Sequence, residues 1–272
     1  MSSGGKNRKS SASFGIRLLL YDDYNVDNDT GYRTLEIKGY DKMFTAEQLC
    51  HRAAEDLGIG SITIPLFTLY DVARELYLHP TALLTCSPNE IQRFVFRARF
   101  MPSRRALLQV IFQDDPNAAK YLYLQFRHDF VNEKMEYEKT TNHEHILGLI
   151  VMDLVRYGKQ SELTLKDICG LDLKYSMPLS TRERYKMPWD KKRLQNNLKT
   201  YIHSQYEKER ENTPNKLMKS FIFGLIGYMK VYGVEEFNVG SEQKVCVAPY
   251  RIGKPSIYRI INDKVGEIYS DS

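Results

Sequence analysis

The 272-residue sequence contains few cysteines, and no two of them form a Cys-x-x-Cys pair. The four are Cys50, Cys86, Cys169 and Cys246, and long intervals separate them. This spacing argues against a zinc site and against a small scaffold held by disulfides. Cysteine usage of this kind fits a reducing cytosol best.

Long hydrophobic runs are lacking as well. The longest, at residues 146–151 and 221–229, fall far short of the roughly 20 residues that a membrane-spanning helix needs. Residues 1–13 are basic and rich in serine and glycine, and no apolar stretch follows their charges. Because a signal peptide needs such a stretch, we expect a disordered tail at 1–13 and a cytoplasmic protein.

Positive charge is only in mild excess, with a formal net charge of +5. This surplus favours acidic partners, namely anionic lipid surfaces or acidic peptides. It is too small to indicate nucleic acid, which we do not expect as a partner.

Between residues 14 and 101 the pattern predicts an α+β lobe. Apolar residues alternate along a first strand at 15–21, and a turn rich in Asp and Asn leads to a second strand. Thr45 and Gln48 have the spacing of a helix capping box, and the helix is followed by further strands that end at 93–100. This order predicts a ubiquitin-like roll.

The periodicity becomes helical between residues 117 and 235, where apolar residues recur at spacings of three and four. We expect a bundle there, with an irregular connection and a short helix at 164–188. Residues 236–272 return to short β runs. These runs are 245–247, 256–261 and 266–269. About three strands cannot bury a sheet face unaided, so we expect only the start of a third, β lobe.

Several stretches resemble the amino-terminal FERM domain of Janus-type cytoplasmic tyrosine kinases. They are FTAEQLCHRAAEDLGI (44–59), LFTLYD (66–71), YLYLQFRHDFV (121–131), ILGLIVMDLVRYGK (146–159), DKKRLQNNLKTYI (190–202) and FNVG (237–240). The linker between Phe100 and Tyr121 departs from the family, because it is short and lacks a tryptophan-rich tract. The resemblance implies a ubiquitin-like β-grasp roll, then an all-α acyl-CoA-binding-protein-like bundle, then the start of a PH-like β lobe.

Catalytic elements of a kinase are not found in the sequence. Gly58 and Gly60 lack the third glycine of a kinase glycine-rich loop, and RHDF at 127–130 has the wrong order for the H-R-D motif. His143 and His145 project about 200° apart on a helix, so they do not share a metal ion. We expect an interaction module without catalytic residues, metal or cofactor, although the full-length proteins that it resembles are tyrosine kinases.

In those proteins the FERM and SH2-like domains hold the membrane-proximal tail of a cytokine receptor, whose proline-containing box lies against the helical lobe. An apolar groove with a charged rim suits such a peptide. By motif position, the resemblance implies that Leu198, Tyr201 and Ile202 are groove residues on one helix. We expect Val151 and Leu154 of the facing helix to line the same groove. The resemblance also implies a basic rim of Lys191, Lys192, Arg193 and Lys199. Ordinary bundle core and a solvated helix face are the alternatives for these two sets.

Five arginines cluster at the predicted junction of the first two lobes. They are Arg93, Arg97, Arg99, Arg104 and Arg105. They form either a patch for anionic membrane lipids or ion pairs with acidic residues of the helical lobe. The lipid patch belongs to a competing hypothesis, a cytoskeletal or adhesion-type FERM protein that binds phosphoinositide membranes and membrane-protein tails.

Overall fold

The computed structural model describes most of the chain up to residue 226 and the backbone of several strands beyond it. The described residues are 15–23, 28–38, 42–86, 91–99, 111–134, 136–137, 143–185, 187–208, 213–226, 229–231, 235–238, 244–251, 254–261 and 264–270. Side chains are described as far as residue 226, except those of residues 136, 137, 188 and 191. The predicted tail at 1–13 lies outside the described residues.

The first lobe combines a mixed sheet with one long helix. Its elements are β1 (Gly15–Tyr21), β2 (Tyr32–Lys38), β3 (Met43–Thr45), α1 (Ala46–Leu57), β4 (Phe67–Asp71), β5 (Leu76–Tyr77), β6 (Leu83–Thr85) and β7 (Gln92–Ala98). The main sheet has the strand order β2-β1-β7-β4-β5, in which β1 and β7 run parallel and the other neighbours antiparallel. Strands β3 and β6 pair in a separate ribbon.

Alternation along β1 places Ile16, Leu18 and Leu20 in the core, where all three are fully buried. The predicted capping box at the start of α1 is confirmed. The Thr45 hydroxyl accepts a hydrogen bond from the Gln48 N–H, and the Gln48 side chain accepts one from the Thr45 N–H. These two bonds satisfy amides that the first helical turn leaves without partners.

The second lobe is helical. Its elements are α2 (Phe112–Asp114), α3 (Pro116–Val131), α4 (His143–Gln160), α5 (Leu165–Gly170), α6 (Leu179–Arg184), α7 (Pro188–Glu207) and α8 (Pro214–Ile226). Helix α4 packs against α7 and α8, and α8 also packs against α3. The connection predicted at 164–188 contains two short α-helices, α5 and α6, with a 3-10 helix at Leu173–Tyr175 between them, rather than one short helix. A capping box at Thr164 starts the first of them.

Strands follow the helical lobe. They are β9 (Met229–Val231), which pairs with β8 (Glu136–Tyr137), and β10 (Glu235–Asn238), β11 (Lys244–Arg251), β12 (Lys254–Ile261) and β13 (Lys264–Ser270). The last four form an antiparallel sheet in chain order. The three predicted β runs lie in β11, β12 and β13, and β10 adds a fourth strand. The predicted succession of an α+β roll and a helical bundle is confirmed.

Helix α3 holds the two lobes together at a contact with β1 and β7, which we call the lobe junction. The Tyr121 hydroxyl donates to the Phe96 carbonyl at 2.5 Å and accepts from the Tyr21 N–H at 3.3 Å. The Asp115 carboxylate accepts from the Gly60 N–H at 2.8 Å. Because buried polar groups are costly to leave unpaired, these bonds fix the helical lobe relative to the sheet.

Candidate functional site

A groove of about 520 Å³ lies between α4 and α7, and we call it the α4–α7 groove. Leu147 and Val151 of α4 and Leu194 of α7 form its apolar floor. Tyr201 lines the open side, where 55% of its surface is exposed. The volume falls within the roughly 300–1,000 Å³ of ordinary ligand sites, so the groove is large enough to hold several side chains.

Gly148 lines this groove, and its missing side chain widens it. Apart from its chain neighbours and the backbone of its own helix, a Cβ atom at Gly148 would meet no atom within 4 Å. At Gly158, on the same helix, a Cβ would lie 2.2 Å from Cδ1 of Ile168, so close packing against α5 requires that glycine. Packing does not require Gly148, although a glycine inside a helix costs roughly 0.5–1 kcal/mol relative to alanine. What the missing side chain of Gly148 provides is additional space in the groove.

Helix α7 turns one face to the core and a flank to the groove. Leu194, Leu198 and Ile202 recur every four residues and are buried. Arg193 and Tyr201 lie on the flank that lines the groove. A single helix therefore supplies both core residues and a partly exposed binding surface.

One end of the groove is aromatic. The rings of His143 and Tyr185 stack with centroids 5.3 Å apart, and Nε2 of His143 is hydrogen-bonded to the Tyr185 hydroxyl. Burial, reinforced by the positive charge of Arg184, lowers the pKa of His143. At neutral pH the His143 imidazole is therefore uncharged.

The sides of the groove carry charges of both signs. Glu144 of α4 and Asp190 and Arg193 of α7 line it together with the apolar floor. Charges around an apolar centre fix the register of a bound chain and exclude mismatched sequences. The arrangement suits an extended peptide with an apolar or proline-containing centre.

Two of the five predicted groove residues, Val151 and Tyr201, line the α4–α7 groove. Leu154, Leu198 and Ile202 are instead buried in the helical core, the alternative that the sequence left open. The reason is helix phase, because the apolar stripe of α7 continues the core while the groove lies to one side of it.

Of the predicted basic rim, Arg193 lines the groove. Lys192 and Lys199 are exposed outside it, and the charge of Lys199 acts on the thiol of Cys169 in α5. The side chain of Lys191 lies outside the described residues.

The sequence reasoning missed Leu147, Gly148 and Leu194. Leu147 and Val151 are four residues apart with a glycine between them, and that pattern was the available signal. This pattern indicates an apolar helix face with an open space beside it. It does not indicate which other helix lies across that space.

The predicted arginine cluster is divided by the fold. Nη2 of Arg97 donates to Oδ2 of Asp129 at 2.8 Å, and the Arg97 side chain is only 13% exposed. Arg97 thus follows the ion-pair alternative and belongs to the lobe junction. Arg93 is exposed and Arg99 is half-buried, with its guanidinium 5.8 Å from the ring centre of Tyr77. Arg104 and Arg105 lie outside the described residues.

A buried polar cluster lies around Asp153 of α4. Nε of Arg127 donates to its carboxylate at 2.7 Å and Nη2 of Arg156 at 3.2 Å, and the hydroxyls of Ser176 (2.5 Å) and Tyr123 also donate. Burial acts to raise the pKa of Asp153, but the two guanidinium groups and the hydroxyl donors lower it to about 2. The Asp153 carboxylate therefore stays charged and links α4 to α3.

Arg156 extends this cluster to the first lobe. Its Nη2 atom donates to Oδ1 of Asp23 at 2.7 Å, and its Nη1 atom donates to Oδ2 of the same carboxylate at 3.2 Å. Bidentate pairs of this kind fix geometry as well as contribute energy. Helix α4, which carries much of the groove floor, is therefore bonded both to α3 within its own lobe and to the first lobe.

Two protein families match the chain in succession. The FERM F1 ubiquitin-like domain matches residues 16–104, and the FERM F2 acyl-CoA binding protein-like domain matches residues 113–225. Both matched domains are non-catalytic. In the part of the chain that the structure describes, no helix combines the length and the hydropathy needed to cross a membrane.

Solved structures have the same fold. The Myosin VII MyTH4-FERM MF2 domain of Dictyostelium discoideum is similar with a TM-score of 0.60 and 17% identity, over 94% of this chain and 50% of that chain. The FERM and C-terminal domain complex of Drosophila Merlin is similar with a TM-score of 0.61 and 14% identity, over 96% of this chain and 80% of that chain. The chain thus spans half the length of the myosin VII chain, and at these identities the likeness concerns the fold alone.

Proposed function

The chain belongs to the FERM domain family, and from that premise we propose that its α4–α7 groove binds the membrane-proximal cytoplasmic tail of a cytokine-type receptor. FERM domains generally bind membrane-protein tails and lipids, and this chain is an interaction module of that kind. In the proposal it is the receptor-docking part of a Janus-type tyrosine kinase, cytoplasmic and held at the membrane through its receptor.

The observation that supports the proposal is the α4–α7 groove itself. Tyr201, Tyr185 and His143 give it aromatic surfaces beside an apolar floor. Proline-rich segments bind such aromatic grooves because their extended polyproline conformation is already formed, which reduces the entropy lost on binding. A receptor tail with a proline-containing box has this chemistry.

The assignment to a Janus-type kinase rests on the resembling stretches and on their order. Residues 146–159 and 190–202, two of these stretches, fall on the two helices that form the groove. The resemblance and the groove therefore involve the same two helices.

Isothermal calorimetry of the chain with membrane-proximal receptor peptides tests the proposal. We expect a Kd in the micromolar range or tighter for a peptide with an intact proline-containing box, and no heat for a scrambled peptide. A Tyr201→Asp variant should bind at least about tenfold more weakly, because a charge replaces an aromatic wall of the groove.

Thr200→Asp is the matched control, since Thr200 is the exposed neighbour of Tyr201 on the same helix and does not line the groove. It introduces the same charge and should bind the peptide normally. The proposal is abandoned if no receptor peptide releases heat, or if both variants lose the same affinity.

The competing hypothesis, a cytoskeletal or adhesion-type FERM protein, is motivated by exposed Arg93 near the start of β7 and half-buried Arg99 just beyond its end. It predicts salt-sensitive sedimentation with phosphoinositide vesicles that Arg93→Gln with Arg99→Gln abolishes, and no binding of receptor peptides. That pair of results would favour it over receptor docking.

A further inference from the structure

The start of α7 exposes two large apolar side chains. Trp189 is the only tryptophan of the sequence and 65% of its surface is exposed, and Met187, two residues before it, is 48% exposed. Single exposed apolar residues are common on protein surfaces. Here two of them are only two residues apart, in a segment that carries several positive charges.

Helical spacing places Trp189 with two cations. Lys192 and Arg193 follow it by three and four residues in α7, so the three side chains are neighbours on one helix surface. That surface points away from the core stripe of Leu194 and Leu198. Arg193 also lines the α4–α7 groove, so this surface adjoins the groove.

The charge of the segment is strongly of one sign. Residues 182–199 contain seven Lys or Arg and two Asp or Glu. Arg184, Lys192 and Arg193 are exposed, and none of the ion pairs formed among the described residues involves them. A local excess of uncompensated cations favours an anionic partner.

We propose that this surface, formed by Trp189, Lys192 and Arg193 with exposed Met187 and Arg184 close to them in sequence, binds the anionic face of a lipid bilayer. Tryptophan is enriched at membrane–water interfaces because its ring is amphipathic. Lysine and arginine close to an anionic leaflet add electrostatic attraction that decays within a Debye length. We call it the α7 membrane surface.

The α7 membrane surface is separate from Arg93 and Arg99 at the two ends of β7 in the first lobe. It does not depend on the proposed receptor. It has a geometric consequence for the groove. A bilayer in contact with Trp189 and Arg193 lies next to one end of the α4–α7 groove, where a membrane-proximal tail would enter.

Vesicle titration of the whole chain, followed by tryptophan emission, tests the proposal without any peptide. Because Trp189 is the only tryptophan, its emission reports on this surface alone. We expect a blue shift with vesicles of phosphatidylcholine and phosphatidylserine, quenching by brominated lipids, and neither effect with phosphatidylcholine alone. High salt should reverse the shift.

Sedimentation of the variants with the same vesicles measures the contribution of the charges. Lys192→Gln with Arg193→Gln should weaken binding roughly tenfold to thirtyfold. Trp189→Ala should weaken it as well. The matched control, Arg93→Gln with Arg99→Gln, removes the same charge elsewhere and should bind almost normally.

Three outcomes would overturn the proposal. In the first, vesicles bind while the emission of Trp189 is unchanged, so lipid contacts another surface. In the second, the control loses as much affinity as the α7 variant, so only net charge matters. In the third, the α7 variant keeps its vesicle affinity and loses affinity for the receptor peptide, so the surface belongs to peptide binding.

Discussion

The side-chain amide of Gln125 pairs with both backbone polar groups of Ala98. The Ala98 N–H donates to Oε1 of Gln125 at 2.7 Å, and Nε2 of Gln125 donates to the Ala98 carbonyl at 3.2 Å. A side chain of α3 thus takes the place of a neighbouring strand at the end of β7. Both residues are buried, so the lobe junction is a polar contact shielded from water.

Replacing Gln125 with Leu should lower the free energy of unfolding by about 2–4 kcal/mol, since two buried backbone groups lose their partners. Urea denaturation followed by circular dichroism measures the change. Gln195→Leu, at an exposed position of α7, is the control and should change stability little. If Gln125→Leu were as stable as the control, the pairing with Ala98 would have no energetic role.

The ion pair between Arg97 and Asp129 at the same junction predicts a coupling energy. Arg97→Met leaves the fully buried Asp129 carboxylate without this partner and should cost about 2–4 kcal/mol. The double variant Arg97→Met with Asp129→Asn also removes the buried charge of Asp129. Its loss in free energy of unfolding should be smaller than the sum of the losses in the two single variants. Denaturation of all four proteins gives the cycle, and simple additivity would contradict the prediction.

The Asp153 cluster predicts acid sensitivity. The pKa of Asp153 is about 2 in the folded protein against an ordinary value of 3.8, so the unfolded chain binds this proton first as the pH falls. The Asp153 carboxylate therefore stabilises the folded protein fully above about pH 4, and this stabilisation is lost as the pH falls through about 2. It contributes roughly 2 kcal/mol to the free energy of unfolding.

Urea denaturation at several pH values between about 2 and 4 measures how steeply the free energy of unfolding depends on pH. Asp153→Asn should flatten this slope, and it should also lower stability at neutral pH because Arg127 and Arg156 lose their buried partner. Asp114→Asn, at an exposed position of α2, should leave the slope unchanged. An unaltered slope in Asp153→Asn would assign the acid sensitivity to other carboxylates.

Periodicity in the sequence predicts the elements better than the surfaces between them. The alternation in β1 and the capping box of α1 are local patterns, and both appear as predicted. The sequence does not predict which way the apolar face of α7 points, because Leu198 and Ile202 have the same spacing whether they face a core or a groove. Only the position of α4 decides between the two.

Arg97 illustrates a related limit. Alternation correctly places Arg97 opposite the core face of β7, and a strand face of that kind usually meets water. Here α3 covers part of it and supplies Asp129 as a partner. No pattern within residues 93–100 contains that information, because the partner lies in another lobe.

A substitution at Gly148 should change peptide binding and folding stability in opposite directions. Replacing it with Leu should raise the free energy of unfolding by roughly 0.5–1 kcal/mol, since the helix gains a better helix former and the Cβ meets no neighbour. The same side chain fills the α4–α7 groove, so receptor-peptide binding should be lost. Calorimetry and urea denaturation on one sample measure the two opposite effects.

Gly158→Ala is the matched comparison on the same helix. Its Cβ would overlap Ile168 of α5, so the variant should be destabilised by about 1–3 kcal/mol while the groove stays open. A destabilised variant that binds and a stabilised variant that does not would together assign binding to the space at Gly148. If Gly148→Leu bound the peptide normally, the α4–α7 groove would not be the docking site, whatever its effect on stability.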